Sequence, residues 1–369
     1  MSTVNQPTYR CAIIGVGRFE YTSQKGGGHQ IGHNHATMYR ENPRFSLVAG
    51  ADINAENLAA YQRKFEVPGG YSDYRQMLEK ERPDVVSICT YVGLHERMLV
   101  DCAEAGVKGV FLEKPVLHSP AALRRVEEVI ARTGIKVCVA HVRRHLPNMG
   151  RIRDMVANGA IGEPLLFAAG IDNWDLSEWG SHWLDIFRFF NGDRPVSWVM
   201  AQARVRGQRG YGHAMEEHAV CNFEFDNRAR GFLDGGRQLG REDKAAGVIP
   251  ATITILGTQG AIYLRDWVKR LEVFDRNGRR EIVDPTGGDS GEDFRNTWTP
   301  YGAGLVEWLD GGAAPLTGWP HVRGSTELNL AAYVSAVRGD RVDLPLDAQA
   351  QAIDEWPVEI LARRAASAG

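Results

Sequence analysis

Gly15-Val-Gly17 follows directly on the apolar run CAII. Glycines in that place let the backbone approach a pyrophosphate closely, which a Cβ would prevent. The third glycine of such a fingerprint is missing on schedule, because Glu20 stands there, and a Gly-rich stretch from Lys25 to Gly28 precedes Gly32 and a helix expected from about His33. Residues 19–31 therefore read as an insertion that delays the helix, and its glycines make it a candidate lid over the cofactor or the cleft mouth. An acidic residue should close the next strand, roughly 20 residues after the glycines, to hold the adenosine ribose. Asp52 ends FSLVAGA, and with the insertion set aside its spacing fits. Because Asp52 would repel a 2′-phosphate, and Ile53 and Asn54 bring no cation, NAD is expected rather than NADP. Arg18, beside Gly17, is assigned to the same cofactor site.

A second group lies further on. Glu113-Lys114-Pro115 follows the run VFL, which puts an ammonium at the carboxyl edge where open parallel sheets bind ligands. Glu178, His182 and Asp185 are spaced four and three apart, so a helix would carry them on one face, with Trp183, Ile186, Phe187 and Phe190 on the buried stripe. Arg143, Arg144 and His145 follow the run KVCVA, and Trp174, Trp179 and Trp183 cluster near His182. Aromatic faces suit the C–H faces of sugar rings, and guanidinium groups suit hydroxyls, carboxylates or sulfonates. A carbohydrate, an anionic one included, is the expected ligand. His29, His33 and His35 lack a Cys or carboxylate that would complete a ligand set at familiar spacing, so no metal is expected.

The elements that must position these groups follow two rhythms. From residue 9 to about 140, apolar runs (YRCAII, FSLVAGA, DVVSIC, VFLE, KVCVA) alternate with helical patterns at 33–42, 55–65, 94–105 and 119–132. That is a doubly wound parallel sheet of Rossmann type, its strands covered on both faces. After residue 150 the runs LLFAAGI, SWVMAQARV, HAVCNFEF, ARGFLD, ATITILG, AIYLRD and LEVFD follow one another with few helices, at about 149–158, 180–191 and 326–338. This predicts a C-terminal α/β domain with an open, mostly antiparallel sheet covered on one face. Residues 284–301 read as a long loop, and 347–366 as a closing helix. The expected organisation is a cofactor domain over 1–140, a substrate and oligomerisation domain over 141–345 and a C-terminal helix over 346–369.

Glu113-Lys114-Pro115, the glycines, Asp52 and Thr90-x-x-x-x-His95 together resemble the glucose-fructose oxidoreductase and inositol dehydrogenase family (Gfo/Idh/MocA). The resemblance extends over nearly the whole chain through Arg144-x-x-Pro147, Gly180-x-His182-x-x-Asp185 and ILGTQGAIYL. It implies cofactor roles for Thr90, His95 and Glu113, and implies that Lys114 and His182 approach one carbon from two domains. Hydride leaves a carbinol carbon only as its hydroxyl proton is removed, which needs a base within hydrogen-bond reach, and either residue qualifies. Many relatives carry Asp where this chain has Glu178, which is assigned to the catalytic group with them. Arg143, Arg144, His145, Trp174, Trp179 and Asp185 are assigned to substrate. The implied activity is NAD-dependent oxidation of a hydroxyl-bearing carbon of a sugar, sugar derivative or polyol. The alternative is an NAD-dependent glycosidase that oxidises C3 transiently, eliminates, hydrates and reduces again. A non-catalytic NAD-binding regulator ranks below both, since it has no chemical need for Lys114 or His182.

Bulk properties limit the partners. With 369 residues and 43% hydrophobic content, the chain fills two cores. Lys+Arg 43 against Asp+Glu 46 gives a net charge of -3, with no basic run to neutralise phosphates, so nucleic acid is not expected. The first ten residues lack a signal-peptide pattern and no uninterrupted apolar stretch is long enough to span a membrane, so a cytoplasmic place is expected. Five cysteines without a C-x-x-C pair predict buried, reduced thiols. The resemblance implies a homodimer or homotetramer packed through the open face of the second sheet.

Overall fold

The computed structural model describes residues 8–18, 31–172, 175–210, 212–236, 251–265, 270–283 and 295–367. Residues 19–30 of the expected lid (19–31), the first part of the expected long loop (284–294) and Trp174 lie outside them. The chain divides into two compact units.

The first unit comprises residues 1–117, 122–140 and 298–320. Its strands are β1 (Tyr9–Ile14), β2 (Phe45–Ala51), β3 (Gly69–Tyr71), β4 (Val85–Ile88), β5 (Gly109–Leu112) and β6 (Lys136–Val139). They pair in parallel in the order β3-β2-β1-β4-β5-β6. The order reverses between β1 and β4, and a doubly wound sheet binds its ligand in the crevice at such a reversal. Helices α1 (Ile31–Glu41), α2 (Ala55–Phe65), α3 (Tyr74–Glu81), α4 (His95–Glu104) and α5 (Pro120–Thr133) connect the strands. All four residues of β4 and of β5 are buried, which is why these strands read as unbroken apolar runs.

Two elements had no counterpart in the sequence reading. The strand β3 has three residues and α3 buries only Met77 and Leu78, so neither carries an apolar period; Asp73 nevertheless caps α3, accepting from the Arg75 N–H. The expected loop over 284–301 is also corrected, because a helix spans Trp298–Leu309 and belongs to the first unit. Trp298 packs edge-on against His35 (4.9 Å), Tyr301 lies tilted against Phe111 (4.8 Å), and the Tyr301 hydroxyl donates to the Cys138 carbonyl at 3.2 Å. Burying those aromatic rings outweighs the turn-forming composition just before them.

The second unit comprises residues 118–121, 141–297 and 321–369. Its main strands are β7 (Pro164–Asp172), β8 (Val196–Arg204), β11 (His218–Phe225), β12 (Arg230–Gly236), β13 (Ala251–Gly257), β14 (Gly260–Arg265), β15 (Arg270–Asp275), β16 (Arg280–Val283) and β17 (Val342–Asp343), with β9 (Arg209–Gly210) and β10 (His213–Ala214) forming a separate short hairpin. The nine-stranded sheet runs β16-β15-β14-β13-β7-β12-β11-β8-β17 and is antiparallel except between β12 and β7. Helix α6 spans Pro147–Ala157 and α7 spans Ser181–Phe190. Phe187 of α7 packs against Phe167 and Phe223, at 6.3 and 6.4 Å between rings.

Met200, Asn222 and Phe232 stand in one register row across β8, β11 and β12, and Met200 and Phe232 are exposed. The expected closing helix is broken in two, Ala348–Gln351 and Pro357–Ser367, because Pro357 cannot donate inside a helix but fits its first turn. Both pieces belong to the second unit rather than forming a separate segment. All five cysteines are free and buried. No helix among the described residues is long and apolar enough to cross a membrane.

Candidate active site

In the first unit Gly15 and Gly17 both hold positive φ, 82° and 71°, a conformation that side-chain-bearing residues rarely adopt. A Cβ on Gly15 would come within 2.8 Å of the Thr90 side chain and 2.9 Å of the Cys89 carbonyl oxygen. The missing third glycine is Gly32: a Cβ there would meet the Val16 and Gly15 carbonyl oxygens at 2.6 and 2.7 Å. Gly32 thus does what the last fingerprint glycine does, letting the helix start pack against the turn, although the insertion separates it from Gly17.

Asp52 Oδ2 accepts the Gly17 N–H at 2.9 Å and Oδ1 accepts the Asn54 N–H at 2.8 Å. A carboxylate offers about four lone-pair positions, so the remaining ones are left for hydroxyls. A cavity of about 360 Å³ opens here, lined by Gly15, Asp52, Ile53, Thr90, Tyr91 and Leu94, with Arg18 also on its wall. Ile53, Tyr91 and Leu94 present exposed apolar surface suited to a flat heterocycle, Asp52 suits a ribose, and the glycine turn suits a pyrophosphate. These residues fit NAD.

Lys114 follows β5 in the same unit and is half-buried. Its backbone N–H donates to Glu113 Oε2 at 3.2 Å, and Glu113 Oε1 lies 3.1 Å from His35 Nε2. Burial pushes the Glu113 carboxyl up, yet the His35 hydrogen bond and charge and the Lys114 charge outweigh it, leaving it below the ordinary carboxylate value.

In the second unit His182 lies near the start of α7, with its ring 5.8 Å from His141 and 6.0 Å from Trp179, both edge-on. The guanidinium of Arg143 lies over the Trp179 ring at 5.4 Å. Burial pushes it down to about 10, and among the described residues no acceptor hydrogen-bonds to it. The next residue is its opposite. Arg144, with no exposed side-chain surface, donates to both oxygens of Asp185 (2.8 and 2.7 Å) and both of Asp193 (2.9 and 2.8 Å).

The match to known families decides the identity. Residues 9–141 match the model of the oxidoreductase family with NAD-binding Rossmann fold (Gfo/Idh/MocA), and residues 149–263 match the Gfo/Idh/MocA C-terminal domain. The chain belongs to the Gfo/Idh/MocA family of NAD-binding oxidoreductases. It is 25% identical to the D-apiose dehydrogenase of Paraburkholderia graminis, over 95% of this chain and 94% of that protein. It is 24% identical to the myo-inositol 2-dehydrogenase of Thermotoga maritima, over 69% of this chain and 74% of that protein. Among solved structures it is similar to an oxidoreductase from Agrobacterium radiobacter in complex with NAD+, L-tartaric acid and magnesium, with a TM-score of 0.71 and 23% identity, covering 91% of this chain and 98% of that one. The cofactor of this Gfo/Idh/MocA member is NAD, and sugar and polyol dehydrogenases are among its relatives.

Several expected site residues of this family member are placed differently from the sequence reading. Arg144 and Asp185, expected on substrate, are buried against each other: the arginine also pairs with Asp193, and Asp185, 1% exposed, also accepts from the Ser325 hydroxyl at 2.8 Å. Burial pushes the Asp185 carboxyl up, but Arg144 and then His141 hold it at about 2. His145 is lowered to about 4 by burial and then by Arg144, so it brings no positive charge near neutrality. His95 is not on the cavity wall: fully buried, it faces the Thr90 carbonyl (2.9 Å) and the Val116 carbonyl (3.1 Å), tying the segments after β4 and β5 together. Glu113, also expected on the cofactor, is buried with Oε1 3.1 Å from His35 Nε2.

Glu178 does not continue the α7 spacing. Residues Leu176–Gly180 form a π turn, in which Gly180 N donates to the Asp175 carbonyl at 2.9 Å, and Glu178 Oε1 lies 3.5 Å from His213 Nε2. The turn is anchored from outside, because Leu176 N donates to Glu216 Oε1 (2.5 Å) and its carbonyl accepts from Asn329 Nδ2 (2.9 Å). The polar face of α7 is not open either: every residue from Ser181 to Phe190 is buried. His141 was missed by the sequence reading. Its signal was its place one residue after KVCVA, at the strand edge where Lys114 was sought after β5. Among the described residues no group of three His, Cys, Asp or Glu side chains is arranged to hold a metal.

Proposed function

We propose that this oxidoreductase takes hydride from a hydroxyl-bearing carbon of a sugar, sugar derivative or polyol that carries an acidic group. The observation that carries the acidic group is Arg143, a half-buried guanidinium seated on Trp179 without a hydrogen-bond acceptor among the described residues, beside an arginine that has four carboxylate oxygens. A half-buried guanidinium over an aromatic ring is placed to receive a ligand carboxylate or sulfonate while Trp179 receives an apolar sugar face. Bound NAD supplies the hydride acceptor. In this reading Lys114 and His182 serve one reaction, taking the hydroxyl proton as hydride leaves. His141 orients the His182 ring, Arg144 and Asp185 hold α7 in place, and Glu178 supports the π turn through His213. Homodimer or homotetramer formation through the face bearing Met200 and Phe232 fits their exposure.

The test is incubation with NAD and matched neutral and acidic carbohydrates (glucose and glucuronate, galactose and galacturonate, myo-inositol, gluconate, and nitrophenyl glycosides), following NADH and nitrophenol together. The expected result is NADH formation with kcat/KM at least about tenfold higher for the acidic member of a pair, the order of one charge-assisted hydrogen bond. A preference for the neutral member removes the acidic group from the reading. Nitrophenol release without net NADH replaces net oxidation by the redox-neutral glycosidase cycle.

A further inference from the structure

The π turn that carries Trp179 is held from behind by one polar stripe of a buried helix. That helix, Trp319–Arg338, belongs to the second unit from His321 onward and buries Leu328, Leu330 and Val334 among its apolar residues. Ser325, Asn329 and Tyr333 are buried too, and their spacing of four puts them on one face. The Ser325 hydroxyl donates to Asp185 Oδ1 at 2.8 Å, Asn329 Nδ2 donates to the Leu176 carbonyl at 2.9 Å, and the Tyr333 hydroxyl donates to Glu216, 2.9 and 3.1 Å from its two oxygens. Glu216 Oε1 in turn accepts the Leu176 N–H at 2.5 Å. Both backbone polar groups of Leu176, the first residue of the turn, are thus engaged by side chains distant in sequence.

A π turn is a rare conformation, kept mostly as a single bulge in a helix. Here Gly180 N–H closes on the Asp175 carbonyl, five residues back, where an α-helix would close four back. Each residue of an α-helix advances by about 100°, so a return to α-helical spacing would rotate the side chains of the turn against α7 by about that angle. Trp179 is the side chain for which this matters, because its ring meets the Arg143 guanidinium at 5.4 Å and the His182 ring at 6.0 Å. Asp175 accepts the Glu178 N–H at 2.7 Å, but an N-cap makes that same bond to the first turn of an α-helix. It does not choose between the two spacings, and the choice falls to the partners of Leu176.

We propose that Glu216, Tyr333 and Asn329 are positioning residues that impose the π spacing and so seat Trp179 against Arg143 and His182. Their role in the reaction rests on the reading of Arg143 and Trp179 as the place that receives substrate. Tyr333 orients the Glu216 carboxyl, Glu216 and Asn329 fix Leu176 at one end of the segment 176–185, and Ser325 holds the other end through Asp185.

The full chain is labelled with 5-fluorotryptophan and followed by fluorine NMR, alongside NAD affinity by calorimetry and the melting temperature. The Trp179 resonance is the one lost in Trp179→Phe. Tyr333→Phe keeps the ring without the hydroxyl, and Asn329→Asp keeps the shape without the donor. In each, the Trp179 resonance should shift or split while the other tryptophan resonances stay in place and NAD affinity stays within about threefold. Glu216→Gln keeps an acceptor for the Leu176 N–H and a partner for the Tyr333 hydroxyl, so its Trp179 resonance should match that of the unmodified chain. KM for an acidic carbohydrate should rise about three- to tenfold in Tyr333→Phe and Asn329→Asp, the order of one hydrogen bond, and not in Glu216→Gln. Tyr333→Phe, the milder change, carries the test if Asn329→Asp does not fold. A lowered melting temperature with the Trp179 resonance unmoved would make these contacts stabilising only and overturn the proposal, as would a moved resonance with KM unchanged. The fluorine signal involves neither substrate nor turnover, so an enzyme that prefers neutral sugars would lose the reading of Arg143 and keep the seating of Trp179.

Discussion

Arg144 grips Asp185 with two nitrogens of its guanidinium, Nε at 2.8 Å and Nη2 at 2.7 Å, in a pair with almost no solvent exposure. Asp185 is on α7 and Arg144 follows β6, so this pair fixes the helix that carries His182. The expectations for Arg144 and for its neighbour Arg143 differ on that account.

Removing one partner leaves the other buried and unpaired, so Arg144→Met or Asp185→Asn should each cost about 3–5 kcal/mol in denaturant unfolding. Arg144→Met with Asp185→Leu should cost less than the two single changes together. The pH dependence has a defined sign. With the folded carboxyl at about 2 against an ordinary 3.8, ionised Asp185 contributes stability above about pH 4 that is lost as pH falls toward 2. Unfolding curves of Asp185→Asn and the unmodified chain should converge over that interval, by roughly 2 kcal/mol.

Arg143 should behave differently from its neighbour. Arg143→Leu removes a half-buried charge with no hydrogen-bond acceptor among the described residues, so stability should change little. Its KM for the acidic substrate should rise by roughly 10- to 100-fold, the equivalent of about 1.5–3 kcal/mol for a charged hydrogen bond. NAD affinity measured by calorimetry should not move, and a KM for acidic substrate equal to that of the unmodified enzyme contradicts the assignment.

Cofactor choice should depend on Asp52. Asp52→Ala removes the acceptor for ribose hydroxyls and frees the Gly17 and Asn54 N–H groups, so NAD should bind about tenfold or more weakly. Arg18 remains on the wall of the same cavity, and the gap between NAD and NADP affinity should narrow. Titration calorimetry with both dinucleotides decides it.

Gly32 offers a steric test of the displaced fingerprint. Alanine is ordinarily the better helix residue, but its Cβ would stand 2.6 Å from the Val16 carbonyl oxygen. Gly32→Ala should therefore lower unfolding free energy by about 1–3 kcal/mol and weaken NAD binding. A melting temperature at or above that of the unmodified chain would show that the helix start does not need the close approach.

For the chemistry, Lys114→Ala should lower kcat by about 10² to 10⁴ while NAD still binds, and His182→Ala should also lower it. If both act on the same proton, the double variant should be far less impaired than the product of the two single losses. Strict additivity would give them separate roles.

Much of the first unit was legible in the chain itself. Apolar runs covered on both faces marked β1, β2, β4, β5 and β6, and the spacing of Gly15, Gly17 and Asp52 marked three residues that line one cavity, because turn geometry and strand ends demand particular residue types. The elements that were not legible are those whose identity comes from partners: β3 and α3, with too few buried residues to make a period, and the helix Trp298–Leu309, which forms by burying Trp298 and Tyr301 against His35 and Phe111.

In the second unit the residues near His182 could be named from the chain, but not which of them neutralise one another. Sequence places Arg143 and Arg144 as equals. Folding sets them apart, because Asp185 and Asp193, distant along the chain, converge on one guanidinium and leave the other over Trp179. Glu178 and His182 likewise have helical spacing, yet the π turn anchored by Glu216 and Asn329 brings Glu178 to His213. Motif and periodicity depend on covalent neighbours and so can be read from the chain. Which charged groups neutralise each other, and which keep an open valence for a ligand, depends on contacts between residues up to more than a hundred positions apart, and is decided only when those contacts form.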